Sequence, residues 1–188
     1  MANARFSIAP AYYTGSEVTP EVTVTHSGKT LVKDRDFIVT YHNNIEPSSY
    51  YNSPWVGIDG IGNYQGYVTK SFTINRADIS SCTVTLSDES LTYTGSSLRP
   101  TATVKSGDKE LTLNQDYYVS YRNNWDAGTA SVIVNGSGNY TGSVTKDFQI
   151  VPADISNYEV TLYNDSFDYD GTAKEQRYVR LYSGTRWL

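Results

Sequence analysis

The sequence predicts an all-β fold made of tandem, small β-sandwich repeats. Three observations lead to this prediction: a composition suited to strands, a series of short alternating runs, and an internal repeat. The chain contains 17 Tyr among its 188 residues, and aromatic residues make up 13% of it. Val, Thr, Tyr and Gly are abundant, and β-branched and aromatic residues favour strands.

The internal repeat is visible when residues 13–44 are aligned with residues 93–124. Of these 32 positions, 14 are identical. The shared residues include Tyr-Thr-Gly-Ser at the start, one Pro, one Asp and a closing Asn-Asn pair. Such self-similarity is the sequence signature of repeat architectures.

A second alignment, of residues 60–80 with residues 136–156, gives 14 identities in 21 positions. It contains Gly-x-Gly-Asn-Tyr-x-Gly, Val-Thr-Lys and Ala-Asp-Ile-Ser. The first copy carries four extra residues between Asn44 and Gly60. We therefore predict a first β repeat at 1–80, a second at 81–156 and an incomplete third at 157–188. Residues 5–11 resemble the last strand of a preceding unit, so we expect a segment of a longer array.

The second repeat shows the strand pattern most clearly. Its β-branched and aromatic runs alternate with turn-forming Gly, Asn, Asp and Ser. The predicted strands are 83–86, 101–104, 117–121, 130–134 and 141–150. Their short, regular spacing favours a sandwich, and no segment has a sustained helical period. We expect most repeat-matched Tyr side chains to lie in a thin core, with an apolar ring and a polar tip.

The composition argues against several function classes. The net charge of −5, with both signs interspersed, lacks the basic footprint of a nucleic-acid binder. With one Cys and two His, the chain has few of the side chains that usually ligate a metal ion. The apolar runs are too short to span a membrane. The duplicated Asp pairs, 36/116 and 78/154, are typical of turn caps rather than of an active site. We therefore expect no enzyme activity, no cofactor and no metal.

The repeat pattern also carries a family resemblance. In the second copy it reads Tyr93-Thr94-Gly95, then Asp116-Tyr117-x-Val119-x-Tyr121-x-Asn123-Asn124, then Gly136-x-Gly138-Asn139-Tyr140-x-Gly142. It resembles the immunoglobulin-like (MBG/YDG-type) repeats of large surface and secreted proteins in Gram-positive gut anaerobes. The resemblance implies immunoglobulin-like units that serve as stalks, spacers or adhesive modules outside the cell.

The candidate binding residues lie where the repeats differ. The segment 45–55 is longer than its counterpart, contains two prolines, and carries Tyr50, Tyr51 and Trp55. Tyr and Trp are typical of binding hot spots, although Trp55 could instead fill the core of its repeat. Trp125 follows the second Asn-Asn pair and is either exposed or a cap between repeats. Tyr12 adjoins the repeat-matched Tyr13 and is a further candidate.

These observations favour a non-enzymatic adhesive module, secreted or on the cell wall. Its expected partner is a host extracellular protein, such as an immunoglobulin or a mucosal glycoprotein, bound through aromatic-rich loops or a strand edge. One alternative is a structural spacer without a ligand. A weaker alternative is a carbohydrate-binding module in which Tyr50, Tyr51 and Trp55 stack on a sugar.

Overall fold

The computed structural model describes residues 4–183 and 186–187. Strands account for 48% of the structure and helix for 3%, so the prediction of an all-β fold is confirmed. The helical content consists of two short 3-10 turns, at Ile79–Ser81 and Ile155–Asn157. Within the described residues, no helix is long and apolar enough to cross a membrane.

Nine short strands precede the first 3-10 turn. They are β1 (Ala4–Ile8), β2 (Ala11–Tyr12), β3 (Val22–His26), β4 (Lys29–Thr30), β5 (Phe37–His42), β6 (Trp55–Gly60), β7 (Tyr67–Ser71), β8 (Ile74–Asn75) and β9 (Ala77–Asp78). Two antiparallel sheets form, with the orders β1-β3-β4 and β5-β6-β7. Strands β2 and β8 pair in parallel.

Both sheets contribute to one hydrophobic core. Val22 and Val24 enter it from β3, Phe37 from β5, and Val56 and Ile58 from β6. Alternate residues of a strand point to opposite faces, so His42 and Trp55 lie on the outer face of β5-β6-β7. Burial of these aliphatic and aromatic side chains is the main stabilising contribution here.

The second repeat forms a similar series of short strands. Its strands are β10 (Thr83–Leu86), β11 (Ser90–Thr92), β12 (Ala102–Ser106), β13 (Lys109–Glu110), β14 (Tyr117–Arg122), β15 (Gly128–Gly136), β16 (Tyr140–Thr141) and β17 (Ser143–Val151). Seven of them form sheets in the orders β10-β12-β13 and β11-β17-β15-β14, and β16 pairs in parallel with β9. The five strands predicted for this repeat are thereby confirmed, with ends that move by a few residues.

Strand β1 holds a position that its sequence did not indicate. Residues 5–11 resemble the last strand of a preceding unit, but Ala4–Ile8 pairs antiparallel with β3. This is the place that β10 takes beside β12 in the second repeat. Phe6 and Ile8 alternate towards the first repeat's core and pack against it. Residues 4–8 therefore belong to the first repeat's own sheet, despite their likeness to 148–153.

The repeated polar residues have structural roles. Asp36 Oδ2 accepts the backbone N–H of Val32 at 2.9 Å, and Asp116 Oδ2 accepts that of Thr112 at the same distance. Asp78 and Asp154 cap the two 3-10 turns. The prediction that these duplicated carboxylates are turn caps is confirmed.

The two residues of each Asn-Asn pair have different structural roles. Asn43 and Asn123 adopt positive φ angles of 55° and 53°, a conformation that Asn tolerates better than most residues. Asn44 and Asn124 are buried, and their side-chain amides donate to the carbonyls of Val18 and Leu98. The pair therefore turns the chain and fixes the preceding loop.

Two compact units divide the chain. The first unit contains the residues up to Val84, Val104–Val119 and Val134–Val144. The second unit contains Thr85–Thr103, Ser120–Ile133 and the residues from Thr145 onwards. Within the first unit, the buried rings of Tyr13 and Tyr140 meet edge to face at 5.7 Å. Residue 142 is glycine there because an added Cβ would stand 2.5 Å from Asp78 Oδ1.

A separate sheet lies at the C-terminal end of the described chain. It consists of β18 (Glu159–Leu162), β19 (Val179–Ser183) and β20 (Arg186–Trp187), in the order β18-β19-β20. Its strands are antiparallel. All four side chains of β18 are exposed.

Candidate functional site

The loop between β5 and β6 is anchored at both of its ends. The N–H of Ser48 donates to the carbonyl of Ile74 at 2.9 Å, and the Ser48 hydroxyl accepts the N–H of Ile74 at 3.0 Å. Pro54 is fully buried immediately before β6. The Asn52 side-chain amide donates to the carbonyls of Glu46 and Pro47 at 2.8 and 3.3 Å. The segment between β5 and β6, which the four extra residues lengthen, is therefore a loop with internal hydrogen bonds and two fixed ends.

The tip of this loop presents two tyrosines to solvent. The backbones of Ser49 and Asn52 exchange hydrogen bonds of 2.9 and 3.3 Å, which closes a tight turn over Tyr50 and Tyr51. The Ser49 hydroxyl also accepts the backbone N–H of Tyr51 at 3.3 Å. Tyr50 is 92% exposed and Tyr51 is 94% exposed. Their rings meet edge to face, with centroids 5.0 Å apart and planes at 86°. We call residues 49–52 the tyrosine tip.

Trp55 begins β6, a few residues from the tyrosine tip along the chain. Its ring stacks on that of His42, with centroids 3.8 Å apart and planes at 11°. The two residues are direct cross-strand partners in β5 and β6. Trp55 is half-buried and lies on the sheet's outer face, so it does not fill the first repeat's core.

Tyr67 extends the aromatic surface on this outer face. It is 58% exposed and pairs with Asp59 across β6 and β7. Its hydroxyl lies over Gly57, where an added Cβ would be 2.5 Å from Tyr67 Oη and 2.7 Å from Thr40 Oγ1. Glycine at 57 therefore allows the Tyr67 ring to approach the sheet.

Sequence reasoning missed His42 and Tyr67 as members of this surface. His42 ends β5, and its ring stacks on that of Trp55. A detectable signal was the repeat alignment itself, because Arg122, Ser131 and Ser143 stand at the positions of His42, Trp55 and Tyr67. The aromatic residues are thus peculiar to the first repeat.

The other two predicted residues lie elsewhere. Tyr12 is 59% exposed on β2, and β2 pairs with β8, the strand that also anchors Ser48. Trp125 is 58% exposed and lines an open depression with Asn123, Asp126 and Gly128. It belongs to the second compact unit, whereas the other four candidates belong to the first.

The ionisable groups suggest structural roles. The Arg35 guanidinium beside Asp36, together with the N–H of Val32, lowers the pKa of the Asp36 carboxyl to about 2. Asp78 and Asp154 have pKa values below their usual range because each accepts the N–H of a following serine. Among residues 4–183 and 186–187, no group of three or more His, Cys, Asp or Glu could hold a metal ion.

Comparison of the chain with family models, curated proteins and solved structures found no match.

Proposed function

We propose that this chain is a non-enzymatic adhesive module that binds a host extracellular protein through the tyrosine tip. The observation that carries the proposal is the exposure of Tyr50 and Tyr51, at 92% and 94%, on a loop with fixed ends. In this proposal the strands form immunoglobulin-like sandwiches, and the chain belongs to a secreted or cell-wall protein. The core shared by β1-β3-β4 and β5-β6-β7 supports the sandwich interpretation.

The chemistry of the tip suits a protein partner. Tyr side chains combine a large apolar area with a polar hydroxyl and few rotatable bonds, and they are enriched among residues that dominate binding energy. The hydrogen bonds of Ser48, Ser49 and Asn52 hold the backbone before the partner arrives. Binding therefore requires less ordering of the loop, which improves affinity.

The ring geometry favours a protein partner over a glycan. Stacking of one sugar on several rings calls for coplanar rings, but Tyr50 and Tyr51 are nearly perpendicular, and His42 covers one face of Trp55. A pure spacer would be expected to bury these rings instead. The outer-face residue Trp55, which begins β6, extends the apolar area available next to the loop.

The test is a direct binding measurement with the immobilised chain. Pooled human immunoglobulin and purified human mucin are passed over the native chain and over the Tyr50→Ala/Tyr51→Ala variant. We expect one of the two proteins to bind, and the variant to lose affinity by at least about tenfold, because hot-spot residues each contribute about 2 kcal/mol or more. Both tyrosines are exposed, so the variant should fold normally.

The matched control is Tyr118→Ala, which removes a tyrosine that is 51% exposed on β14. This control should bind like the native chain. Binding that survives the double substitution would move the site to Trp125, Tyr12 or a strand edge. Absence of binding to either protein would contradict the proposal and leave the spacer as the better explanation. Deglycosylation of the captured protein distinguishes protein recognition from glycan recognition.

A further inference from the structure

The loop that carries the tyrosine tip contacts the second repeat through the Glu46 side chain. Asn139 Nδ2 donates a hydrogen bond to Glu46 Oε2 at 2.7 Å, although the two residues are 93 positions apart in the sequence. Both belong to the first compact unit. A carboxylate accepts hydrogen bonds and does not donate them, and a bond to a charged acceptor is stronger than a neutral one. The loop is therefore held from outside its own repeat as well as from within it.

Glu46 is also joined to the tyrosine tip through its backbone. The Glu46 carbonyl accepts the side-chain amide of Asn52 at 2.8 Å. Asn52 in turn exchanges backbone hydrogen bonds of 2.9 and 3.3 Å with Ser49. Tyr50 and Tyr51 lie between these two residues. A displacement of Glu46 would therefore disturb the residue that closes the turn beneath both rings.

The backbone around Asn139 is fixed by several contacts. Its carbonyl accepts the N–H of Ala77 at 3.0 Å, where β16 pairs in parallel with β9. The N–H of Ser137 donates to the carbonyl of Asp116 at 2.9 Å, and the N–H of Tyr140 donates to the carbonyl of Ser137 at 2.9 Å. The Tyr140 side chain is 2% exposed. These contacts hold Asn139 in place where the second repeat meets the first.

The same asparagine occurs in the first repeat, but at a different place relative to the loop. Asn63 matches Asn139 in the pattern Gly-x-Gly-Asn-Tyr-x-Gly. Asn63 is exposed and follows β6, whereas the loop precedes β6. It therefore lies at the opposite end of that strand from the tyrosine tip. The shared pattern accounts for the turn in both repeats, while the contact with Glu46 involves only Asn139.

On the basis of the function proposed for the tyrosine tip, we propose that Asn139 is a positioning residue for that site. The second repeat then orients the binding loop of the first repeat. A loop that lacks this contact samples more orientations, and a partner must order it on binding, which costs affinity. A loop held by Asn139 presents Tyr50 and Tyr51 in one orientation. The binding module is accordingly the pair of repeats and not the first repeat alone.

The test is amide hydrogen exchange of the full chain, followed by NMR, together with the binding measurement described above. Asn139→Asp places a second carboxylate opposite Glu46, so that repulsion replaces the hydrogen bond. Exchange of the Ser49 and Asn52 amides should accelerate by at least about threefold. Affinity for the immunoglobulin or mucin that the native chain binds should fall by about three- to tenfold. The matched control Asn63→Asp adds the same charge at the equivalent position and should change neither quantity.

An exchange of donor and acceptor separates positioning from a general loss of stability. Glu46→Gln/Asn139→Asp restores the hydrogen bond, with the donor now on the loop and the acceptor on the second repeat. Exchange rates and affinity should return to within about twofold of the native values, because the two positions are coupled. The midpoint of urea unfolding should be the same in the native chain and in all of these variants, since the contact lies at the surface.

Two results would overturn this proposal. Equal exchange of the Ser49 and Asn52 amides in the native chain and in Asn139→Asp would show that the contact does not order the tyrosine tip. An affinity loss that the double substitution does not restore would assign the effect to the added charge itself. If the native chain binds neither protein, the proposed function fails, and hydrogen exchange still decides whether Asn139 orders the loop.

Discussion

The outer faces of the two equivalent sheets, β5-β6-β7 and β14-β15-β17, share a scaffold and differ in chemistry. In the second repeat the Ser131 hydroxyl donates to Asp147 Oδ1 at 2.7 Å, and Gln149 Nε2 donates to Thr129 Oγ1 at 3.1 Å. In the first repeat the position of Ser131 is held by Trp55, stacked on His42. One face is a polar, hydrogen-bonded surface, and the other is aromatic.

The difference shows which residues each repeat can change. Inward-facing Val and Ile side chains recur because the core tolerates little change in volume. Outward-facing positions have no such constraint, so the first repeat can carry Trp and Tyr where the second carries Ser. The four extra residues lengthen the loop between β5 and β6, which carries the highly exposed rings of Tyr50 and Tyr51.

The largest expected effect tests the shared scaffold. Phe37 is 1% exposed, and its counterpart Tyr117 is 4% exposed. Phe37→Ala leaves a cavity in the first repeat's core and should lower the free energy of unfolding by about 3–5 kcal/mol. Urea unfolding followed by circular dichroism measures this loss. The adjacent, outward-facing Ile38→Ala is the control, with an expected change of about 0.5 kcal/mol or less.

A second prediction concerns replacing two outer-face residues of the first repeat by their counterparts in the second repeat. Ile133 stands at the position of Gly57, and a side chain at 57 would collide with Tyr67 Oη. Gly57→Ile should therefore destabilise the first repeat by about 1–3 kcal/mol, as overpacking does. Gly57→Ile/Tyr67→Ser installs the second repeat's pair and should recover part of the loss, because the two positions are coupled. The contact with Thr40 Oγ1, 2.7 Å from an added Cβ, remains. If the two substitutions instead lower the midpoint of urea unfolding by additive amounts, Tyr67 does not lie over Gly57.

The smallest effect concerns acid sensitivity. Arg35 Nη2 lies 2.8 Å from Asp36 Oδ2, whereas Gln115 precedes the equivalent Asp116. The pKa of Asp36 is lowered to about 2, below the unfolded value of about 3.9. The folded state thus favours the carboxylate, which stabilises the fold at pH values above about 4. That contribution disappears as the pH falls through about 2.

Arg35→Gln should raise the pKa of Asp36 towards its ordinary range. The stabilisation that the Asp36 carboxylate gives the first repeat would then be lost at a higher pH than in the native chain. Carboxyl carbon chemical shifts, followed by NMR against pH, measure the pKa directly. An Asp36 titration that is the same with and without Arg35 would assign the shift to the Val32 N–H instead.

Much of the fold was predictable because it follows from local rules. Alternating Val, Thr and Tyr runs specify strands, and the Asn43-Asn44 and Asp36 positions recur wherever the same turn recurs. The exposure of Tyr50 and Tyr51 was foreseeable from the extra residues, because the core of a repeat has no room for an inserted segment. These features depend on sequence neighbours within a few residues.

Other features depend on which strands become neighbours, and only the tertiary structure decided them. Strand β1 joins the first repeat's sheet, although its sequence resembles a closing strand. The stack of His42 on Trp55 exists because β5 and β6 pair in a particular register. The exposure of Val160, Leu162 and Val179 is likewise invisible in the sequence, since their counterparts are buried by a second sheet. Local pattern determines that a side chain faces one side of a strand, but long-range packing determines what, if anything, covers that side.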